Sequence, residues 1–180
     1  MTRPEILLGL ARRCEVIEIA LMSRDLIEKG LRWSWTPARV TDSVRSPNTL
    51  VVVARAANRI AGFGIMRYGD DDAHLDLLGV SHDYRREGLG RRLVAWLETP
   101  ALVAGISAVF LEVRESNYGA QAFYERLGYR KLAHIAQYYQ GRESAVRMGR
   151  ELGCWGHPQS DVWAGLTESL QPTRPFGPRR

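Results

Sequence analysis

The chain has 180 residues, of which 45% are hydrophobic and 25% charged, a size and composition typical of one globular domain. Part of the formal net charge of +5 lies in the last ten residues, which hold Arg174, Arg179 and Arg180 and no acidic residue. The rest of the chain has no basic stripe interleaved with aromatic residues. These features argue against a fibrous, disordered or nucleic-acid-binding protein.

The cysteines and the apolar runs indicate where the protein works. Cys14 and Cys154 are far apart and no CxxC pair is present, so the sequence indicates neither a disulfide framework nor a zinc site. No signal peptide is recognisable, and no apolar run approaches the roughly 20 residues of a membrane span. We therefore expect a cytoplasmic protein without nucleic-acid, membrane or metal partners, acting as a monomer or a homodimer.

The first half of the chain predicts a strand, two short helices and a meander. Residues 14–22 alternate loosely and suit a strand, and residues 25–29 suit a helix. Thr36 and Pro37 are typical of an N-cap followed by the first residue of a helix, here extending to Val44. Three β-rich runs separated by turn residues then predict strands over residues 49–54, 60–68 and 74–80.

The second half predicts a helix, a strand, a short helix and two closing strands. From Leu89 onward the apolar residues recur with helical spacing, and Pro100 is expected to kink or end this helix. A strand over residues 108–114 precedes a helix that ends at Gly128. The closing strands cover residues 129–139 and 144–150. This order predicts one α/β domain over residues 1–152 and an extension over 153–180, with its last ten residues disordered.

Residues 84–90, YRREGLG, join a predicted strand to a predicted helix. Glycines let the backbone approach a ligand, the first N–H groups of a helix lack intrahelical partners, and the helix dipole favours negative charge. The segment therefore suits a phosphate group, although a purely structural turn is the alternative. A Walker loop and a dinucleotide fingerprint are excluded, because neither GxxxxGK(S/T) nor GxGxxG is present.

The pattern that remains is an Arg or Gln followed by xxGxG, present from Arg85 to Gly90. It resembles the pyrophosphate loop of the GNAT superfamily of acyl-CoA-dependent N-acyltransferases. Residues 111–129, LEVRESNYGAQAFYERLGY, resemble the second half of the same fold. Residues 138–148, YYQGRESAVRM, resemble the closing hairpin of the bacterial ribosomal-protein alanine acetyltransferases. The resemblance covers residues 74–150 and implies an α/β (α+β) fold with a mixed, mostly antiparallel sheet of six to seven strands and helices on both faces.

The resemblance further implies that acetyl-CoA is the co-substrate. Its diphosphate and pantetheine arm would be held by backbone amides of the fourth strand and the glycine loop and by one asparagine side chain. These implied positions are Leu78, Gly79, Val80, Arg85, Arg86, Glu87, Gly88, Leu89, Gly90, Arg91 and Asn117. Asn117 also suits a helix cap, and the two roles are compatible.

Two side chains are implied to carry the chemistry. Glu112 occupies the general-base position, and the phenol of Tyr124 is placed to protonate the departing thiolate and to contact coenzyme A. The alternatives are that Glu112 is a solvated strand carboxylate or pairs with Arg114 on the same face, and that Tyr124 is a core aromatic.

Other aromatic residues and the histidines complete the candidates. The resemblance implies an acceptor site lined by Trp33, Trp35, Tyr138 and Tyr139, although core or surface positions are an alternative for each. The four histidines lack metal-ligand spacing and are expected at the surface or in turns; they are His74, His82, His134 and His157.

The resemblance implies direct transfer of an acetyl group from acetyl-CoA to a primary amine. The closing segment 138–148 favours the N-terminal α-amine of a protein or peptide as acceptor. The first helical region is shorter than the family's pattern, which favours a small amine such as an amino acid, polyamine or drug. A module that binds acyl-CoA without catalysis is a further alternative.

Overall fold

The computed structural model describes residues 4–57 and 59–153, and within them seven strands form one sheet. The strands are β1 (Ile6–Leu10), β2 (Thr49–Ala56), β3 (Arg59–Tyr68), β4 (Asp72–Val80), β5 (Ala108–Arg114), β6 (Arg130–Tyr139) and β7 (Glu143–Glu151). The helices are α1 (Val16–Leu26), α2 (Pro37–Arg45), α3 (Leu89–Ala104) and α4 (Tyr118–Arg126). Except for Gly153, the predicted extension lies outside the described residues, as does the prediction about its last ten residues.

The strand order across the sheet is β1-β2-β3-β4-β5-β7-β6. Among these strands, β4 and β5 pair in parallel and the other neighbours are antiparallel. The predicted fold class, a mixed and mostly antiparallel sheet of six to seven strands, is confirmed. The parallel pair matters most for function, because β4 and β5 lie next to each other in the middle of the sheet.

Side chains that alternate along β2 build two cores on opposite faces of the sheet. Val51 and Val53 pack with residues of α1 and α2, whereas Val52 and Ala54 pack with residues of α3. Both cores consist of fully buried aliphatic and aromatic side chains. The prediction of helices on both faces is therefore confirmed.

The N-terminal segment differs from the sequence prediction. The strand over residues 14–22 and the helix over residues 25–29 are both wrong, because the first strand is β1 and most of this segment forms α1. The buried positions of α1 follow helical spacing at i, i+3, i+4 and i+7, namely Val16, Ile19, Ala20 and Ser23. Valine and isoleucine favour strands by propensity, which conceals this spacing in the sequence.

Pro100 does not end the third helix, which continues for another turn to Ala104. The proline removes one backbone donor, but Leu97 and Ala101 are completely buried on the core face and hold the helix in place. Gly105, in the left-handed conformation, is the residue that ends the helix.

The local signals at the other helices agree with the structure. The Thr36 side chain accepts a hydrogen bond from Arg39 N, and Pro37 is the first residue of α2. Gly128 has a φ of 91° just after α4. Within residues 4–57 and 59–153, no helix is long and apolar enough to cross a membrane.

Candidate active site

A cleft begins where β4 and β5 separate. The two strands pair through residues 72–74 and 108–110, and both continue beyond the last pair. Their diverging ends line a cleft of about 2730 Å³ that extends to both faces of the sheet. Backbone groups along the separated edges have lost a neighbouring strand and are available to a ligand. The predicted residues Leu78, Gly79 and Val80 lie on the β4 edge of this cleft.

The glycine loop follows this edge and begins α3. Arg86 and Gly88 have positive φ angles of 66° and 76°, and Gly88 is the N-cap of the helix. A Cβ added to Gly90 would lie 3.1 Å from the ring of Phe123, so a side chain there would crowd α4. The backbone N–H groups of the first helical turn lack intrahelical partners and can donate to an anion.

The cleft is lined by most of the loop residues named from the sequence. These are Arg85, Arg86, Gly88, Leu89, Gly90 and Arg91. Leu89 is 2% exposed, so its side chain belongs to the core and only its backbone can serve a ligand. Glu87 is exposed and lies outside the cleft lining.

Glu112 lies at the centre of a buried ionic cluster. Its carboxylate accepts hydrogen bonds from His74 Nε2 at 2.8 Å and from Arg147 Nε at 2.8 Å. His74 Nδ1 lies 3.0 Å from Asp76, which in turn accepts two hydrogen bonds from Arg67 at 2.6 and 2.7 Å. The ion-pair partners of Glu112 are thus His74 and Arg147, while Arg114 pairs with Glu143 instead.

The cluster fixes the charge of its members. Burial alone lowers the pKa of His74, but its hydrogen bonds to Asp76 and Glu112 outweigh burial and raise the pKa to about 9. Burial alone raises the pKa of Glu112, but His74 and Arg147 hold that pKa below its ordinary value. Asp76 behaves likewise beside His74 and Arg67, so its pKa is lowered. At neutral pH the cluster therefore holds three cations and two anions.

Two consecutive tyrosines at the end of β6 contact Glu112. Tyr138 donates from its hydroxyl to the carboxylate at 3.2 Å, and Tyr139 donates to the backbone carbonyl oxygen at 3.1 Å. Neighbours on a regular strand would point to opposite faces. Here the register of β6 shifts between Ile135 and Tyr139, and Gln137 has a φ of 52°, which allows both hydroxyls to reach Glu112.

The segment between α1 and α2 forms the wall of the cleft opposite Tyr138 and Tyr139, and hydrogen bonds to Glu28 hold this segment in place. The buried carboxylate of Glu28 accepts hydrogen bonds from Ser34 N at 2.8 Å and from Trp35 N at 3.2 Å. Trp35 is 2% exposed, with the Arg39 guanidinium 4.1 Å from its ring centroid. The indole N–H of Trp33 is buried and finds no hydrogen-bond acceptor among the described residues.

The structure brings all four predicted acceptor-site residues to one cleft. Trp33 and Trp35 line it from the segment between α1 and α2, and Tyr138 and Tyr139 line it from β6. Trp35 and Tyr138 are also core residues, because both side chains are buried.

Tyr124 and Asn117 lie on the α4 side of the cleft. Tyr124 is 7% exposed and packs edge-on against Phe123 and Tyr129, with ring centroids 5.0 and 5.5 Å away. Burial raises the pKa of its phenol, which keeps the hydroxyl protonated. The Asn117 side chain accepts a hydrogen bond from Ala120 N and caps α4, as one of the two sequence interpretations predicts.

Of the four histidine predictions, two agree with the structure, one is wrong and one lies outside the described residues. His74 is wrongly assigned to the surface or a turn, because its side chain is only 20% exposed and lies inside the ionic cluster. His82 lies in a short 3-10 turn and His134 is exposed beside Glu115, as predicted, while His157 lies outside the described residues. A search of the described part of the chain finds no group of three or more His, Cys, Asp or Glu side chains able to hold a metal ion.

Sequence reasoning missed His74, Asp76, Arg67 and Arg147 as members of the site. One signal was available, because His74 and Asp76 are polar residues two apart in a central strand that is apolar apart from them and its first residue, Asp72, and they must share a face. Arg147 carried no such signal, since it meets the cluster only through the pairing of β7 with the distant β5. Arg67 meets the cluster through the pairing of β3 with the next strand, β4.

Comparison with known proteins gives concordant similarities. Residues 20–129 match the model of the acetyltransferase (GNAT) family. The chain is 30% identical to the N-alpha-acetyltransferase RimI of Mycobacterium tuberculosis over 148 residues, covering 79% of this chain and 87% of that protein. It is 39% identical over 93 residues to the ribosomal protein bS18-alanine N-acetyltransferase of Escherichia coli, covering 50% of this chain and 63% of that enzyme. This match therefore spans less than two thirds of the enzyme's length.

A solved structure extends the similarity over most of the chain. The crystal structure of the ribosomal-protein alanine N-acetyltransferase from Escherichia coli superposes with a TM-score of 0.72 at 26% identity. It covers 87% of this chain and 99% of that one.

Proposed function

Because the chain belongs to the acetyltransferase (GNAT) family, we propose that it transfers the acetyl group of acetyl-CoA to the N-terminal α-amine of a protein or peptide. Acetyl-CoA is the acyl donor of this family, in agreement with the co-substrate expected from the sequence. The observation that carries the proposal is the position of the buried Glu112 cluster, in the cleft that opens between β4 and β5 beside the glycine loop. The named activities of the two bacterial relatives support an α-amine as the acceptor.

Acetyl-CoA would lie along the opened edge of β4 with its diphosphate at the start of α3. The backbone groups of residues 78–80 suit the amides of the pantetheine arm, and the first-turn N–H groups of α3 suit the diphosphate. The Asn117 amide group can donate to the pantetheine arm while its side-chain oxygen caps α4. The thioester would then lie between Glu112 and Tyr124, which line the same cleft.

The acceptor amine must be neutral before it attacks. An α-amine, with an ordinary pKa of about 8, is more readily deprotonated than a lysine side chain with a pKa of about 10.4. The ordinary pKa values therefore favour an α-amine over a lysine side chain as the acceptor.

Direct attack accounts for every proton. The amine lone pair forms a bond to the thioester carbonyl carbon, and the nitrogen becomes positively charged. Glu112 accepts one proton from this nitrogen, directly or through a water molecule. A carboxylate with a lowered pKa is a weak base, but a positively charged nitrogen in the tetrahedral adduct is acidic enough for it. Arg147, His74 and Tyr138 occupy three of the roughly four acceptor positions of the carboxylate, which leaves one for the substrate.

Collapse of the adduct breaks the carbon–sulfur bond, and Tyr124 gives its phenolic proton to the sulfur. Glu112 is then protonated and Tyr124 ionised, and proton exchange through solvent returns both groups to their starting states. Burial raises the pKa of Tyr124, which opposes this transfer if the thiolate is fully hydrated. The same water-poor surroundings penalise the thiolate, so they raise the pKa of the thiol as well. The proton transfer from Tyr124 therefore stays feasible in the buried site.

The proposal is tested by following coenzyme A release with a thiol reagent for a panel of amines. The panel contains peptides beginning with Ala, Ser, Met or Gly, lysine peptides with a blocked N-terminus, amino acids, polyamines and aminoglycosides. We expect the highest kcat/KM for peptides with a free α-amine, and mass spectrometry should locate the acetyl group at the N-terminus. Faster turnover of a small amine, or acetyl-CoA binding without release for any amine, would contradict the proposal.

A further inference from the structure

The acceptor half of the cleft is the part lined by Trp33 and Trp35 on one wall and by Tyr138 and Tyr139 on the other. A side-chain bridge joins these two walls. The Gln140 side chain accepts a hydrogen bond from Arg32 N at 2.8 Å and donates one to Arg32 O at 2.7 Å. Gln140 lies in the turn between β6 and β7, and Arg32 lies 108 residues earlier, in the segment between α1 and α2. Both residues line the cleft, so the two hydrogen bonds hold its walls together.

The bridge holds a strained stretch of backbone that covers the end of β6 and the turn after it. Gln137 and Gln140 have φ angles of 52° and 55°, in a region that residues with a Cβ seldom occupy. Between them lie Tyr138 and Tyr139, whose hydroxyls contact Glu112. The amide of Gln140 therefore connects the position of the tyrosine pair to the position of the opposite wall.

Arg114 forms a second connection between the same two walls. Its guanidinium donates to Ile27 O at 2.9 Å, just after the end of α1, and lies 3.4 Å from the carboxylate of Glu143 at the start of β7. The ring of Tyr139 lies 5.8 Å from the same guanidinium. The two walls are thus joined at two separate points, by Arg114 and by the Gln140–Arg32 bridge.

We infer that Gln140 is a specificity-determining residue, whose bridge closes one side of the acceptor half so that an acceptor enters by a free chain end. An N-terminal amine needs one path for its chain to leave the cleft. A lysine within a polypeptide needs two paths, because the chain continues in both directions. Joined walls remove one of these paths. This inference rests on the proposed function and names the structural cause of its preference for chain ends.

The test compares Gln140→Ala with Gln137→Ala as a matched control. Both residues are glutamines with left-handed backbone, Gln137 near the end of β6 and Gln140 in the turn that follows it. Among the described residues the Gln137 side chain makes no hydrogen bond, whereas that of Gln140 makes two. The measured quantity is kcat/KM for a peptide with a free N-terminus divided by kcat/KM for an unstructured peptide with blocked termini and a central lysine. Acetyl-CoA affinity, measured by calorimetry, checks that each variant is folded and competent.

We expect Gln140→Ala to lower this ratio by about fivefold or more, since each lost hydrogen bond is a modest but measurable contribution. Gln137→Ala should leave the ratio unchanged. Gln140→Glu keeps the length of the side chain and loses the donor to Arg32 O, so it should act in the same direction as Gln140→Ala. Amide hydrogen exchange at Arg32 should quicken in Gln140→Ala, which loses the acceptor of Arg32 N, and not in the control.

The outcomes separate the inference from the function on which it rests. A wild-type protein that acetylates no peptide α-amine would refute the proposed function, and the specificity assigned to Gln140 with it. A wild-type protein that prefers α-amines, combined with an unchanged ratio in Gln140→Ala, would refute the inference and leave the proposed function standing.

Discussion

The charge of His74 makes the stability of this protein depend on pH. Hydrogen bonds to Asp76 and Glu112 raise the pKa of His74 to about 9, against 6.5 for an unperturbed histidine. A raised pKa stabilises the folded state fully below the unfolded-state pKa, and this contribution disappears as pH rises through the folded-state pKa. The difference corresponds to about 3 kcal/mol that is present at pH 6 and lost by pH 9.5.

The variant His74→Gln tests this pH dependence, because it keeps a polar side chain and removes the charge. Asp76 keeps Arg67 and Glu112 keeps Arg147, so neither carboxylate is left without a cation. Urea unfolding followed by tryptophan fluorescence at several pH values gives the free energy of unfolding of both proteins. We expect the stability advantage of the wild type over the variant to shrink by about 3 kcal/mol between pH 6 and pH 9.5.

The difference between the two proteins isolates His74, because every other titratable group is common to both. Proton NMR of the imidazole ring gives the same quantity directly, and comparison with the variant identifies the His74 signal. A difference in unfolding free energy that stays constant from pH 6 to 9.5, or a His74 midpoint near 6.5, would refute the assignment of a charged His74 between two carboxylates.

Three further substitutions and one control test the chemistry and the cofactor site. Glu112→Gln removes the proton acceptor, so kcat should fall about 100-fold or more with acetyl-CoA affinity retained, and an unchanged kcat would exclude Glu112 as the base. Tyr124→Phe keeps the packing against Phe123 and Tyr129, so we expect a similar loss of kcat at an unchanged Tm; full activity would exclude the phenol as the acid. Gly88→Ala and Gly105→Ala both place a Cβ in open space at a φ near 77°, at opposite ends of α3, and each should cost about 1–2 kcal/mol of stability. Calorimetry should show weaker acetyl-CoA binding for the Gly88 variant alone, and an equal loss in both would contradict the loop assignment.

Local features of this protein were predictable because their causes lie within a few residues. The N-cap at Thr36, the helix start at Pro37 and the helix end near Gly128 each depend on neighbouring backbone groups. The family and fold class were identified from the glycine loop and from residues 111–129, and both are confirmed. The prediction of a strand over residues 14–22 was wrong because residue propensity favours a strand there, whereas residue spacing favours a helix. The core contacts of α1 follow the spacing.

The roles of the site residues remain proposals, but their placement explains which of them sequence reasoning could find. Glu112 and Tyr124 were found because they lie within a contiguous motif. The connection from Gln140 to Arg32 spans 108 residues and has no trace in local pattern. The pairing of Glu112 with Arg147 was equally hidden, because it depends on the register between β5 and β7.

From Thr36 onward the sequence by itself determined the order of strands and helices, since short-range geometry is enough for each. It also indicated the candidate anion-binding start of α3 and the candidate acid and base from residue chemistry. Only the tertiary structure decided the position, the partners and the charge of those groups. The separation of β4 from β5 opens the cleft, and the pairing of distant strands places His74 and Arg147 beside Glu112. A pKa depends on charges and burial in three dimensions, so no reading along the chain could have assigned it.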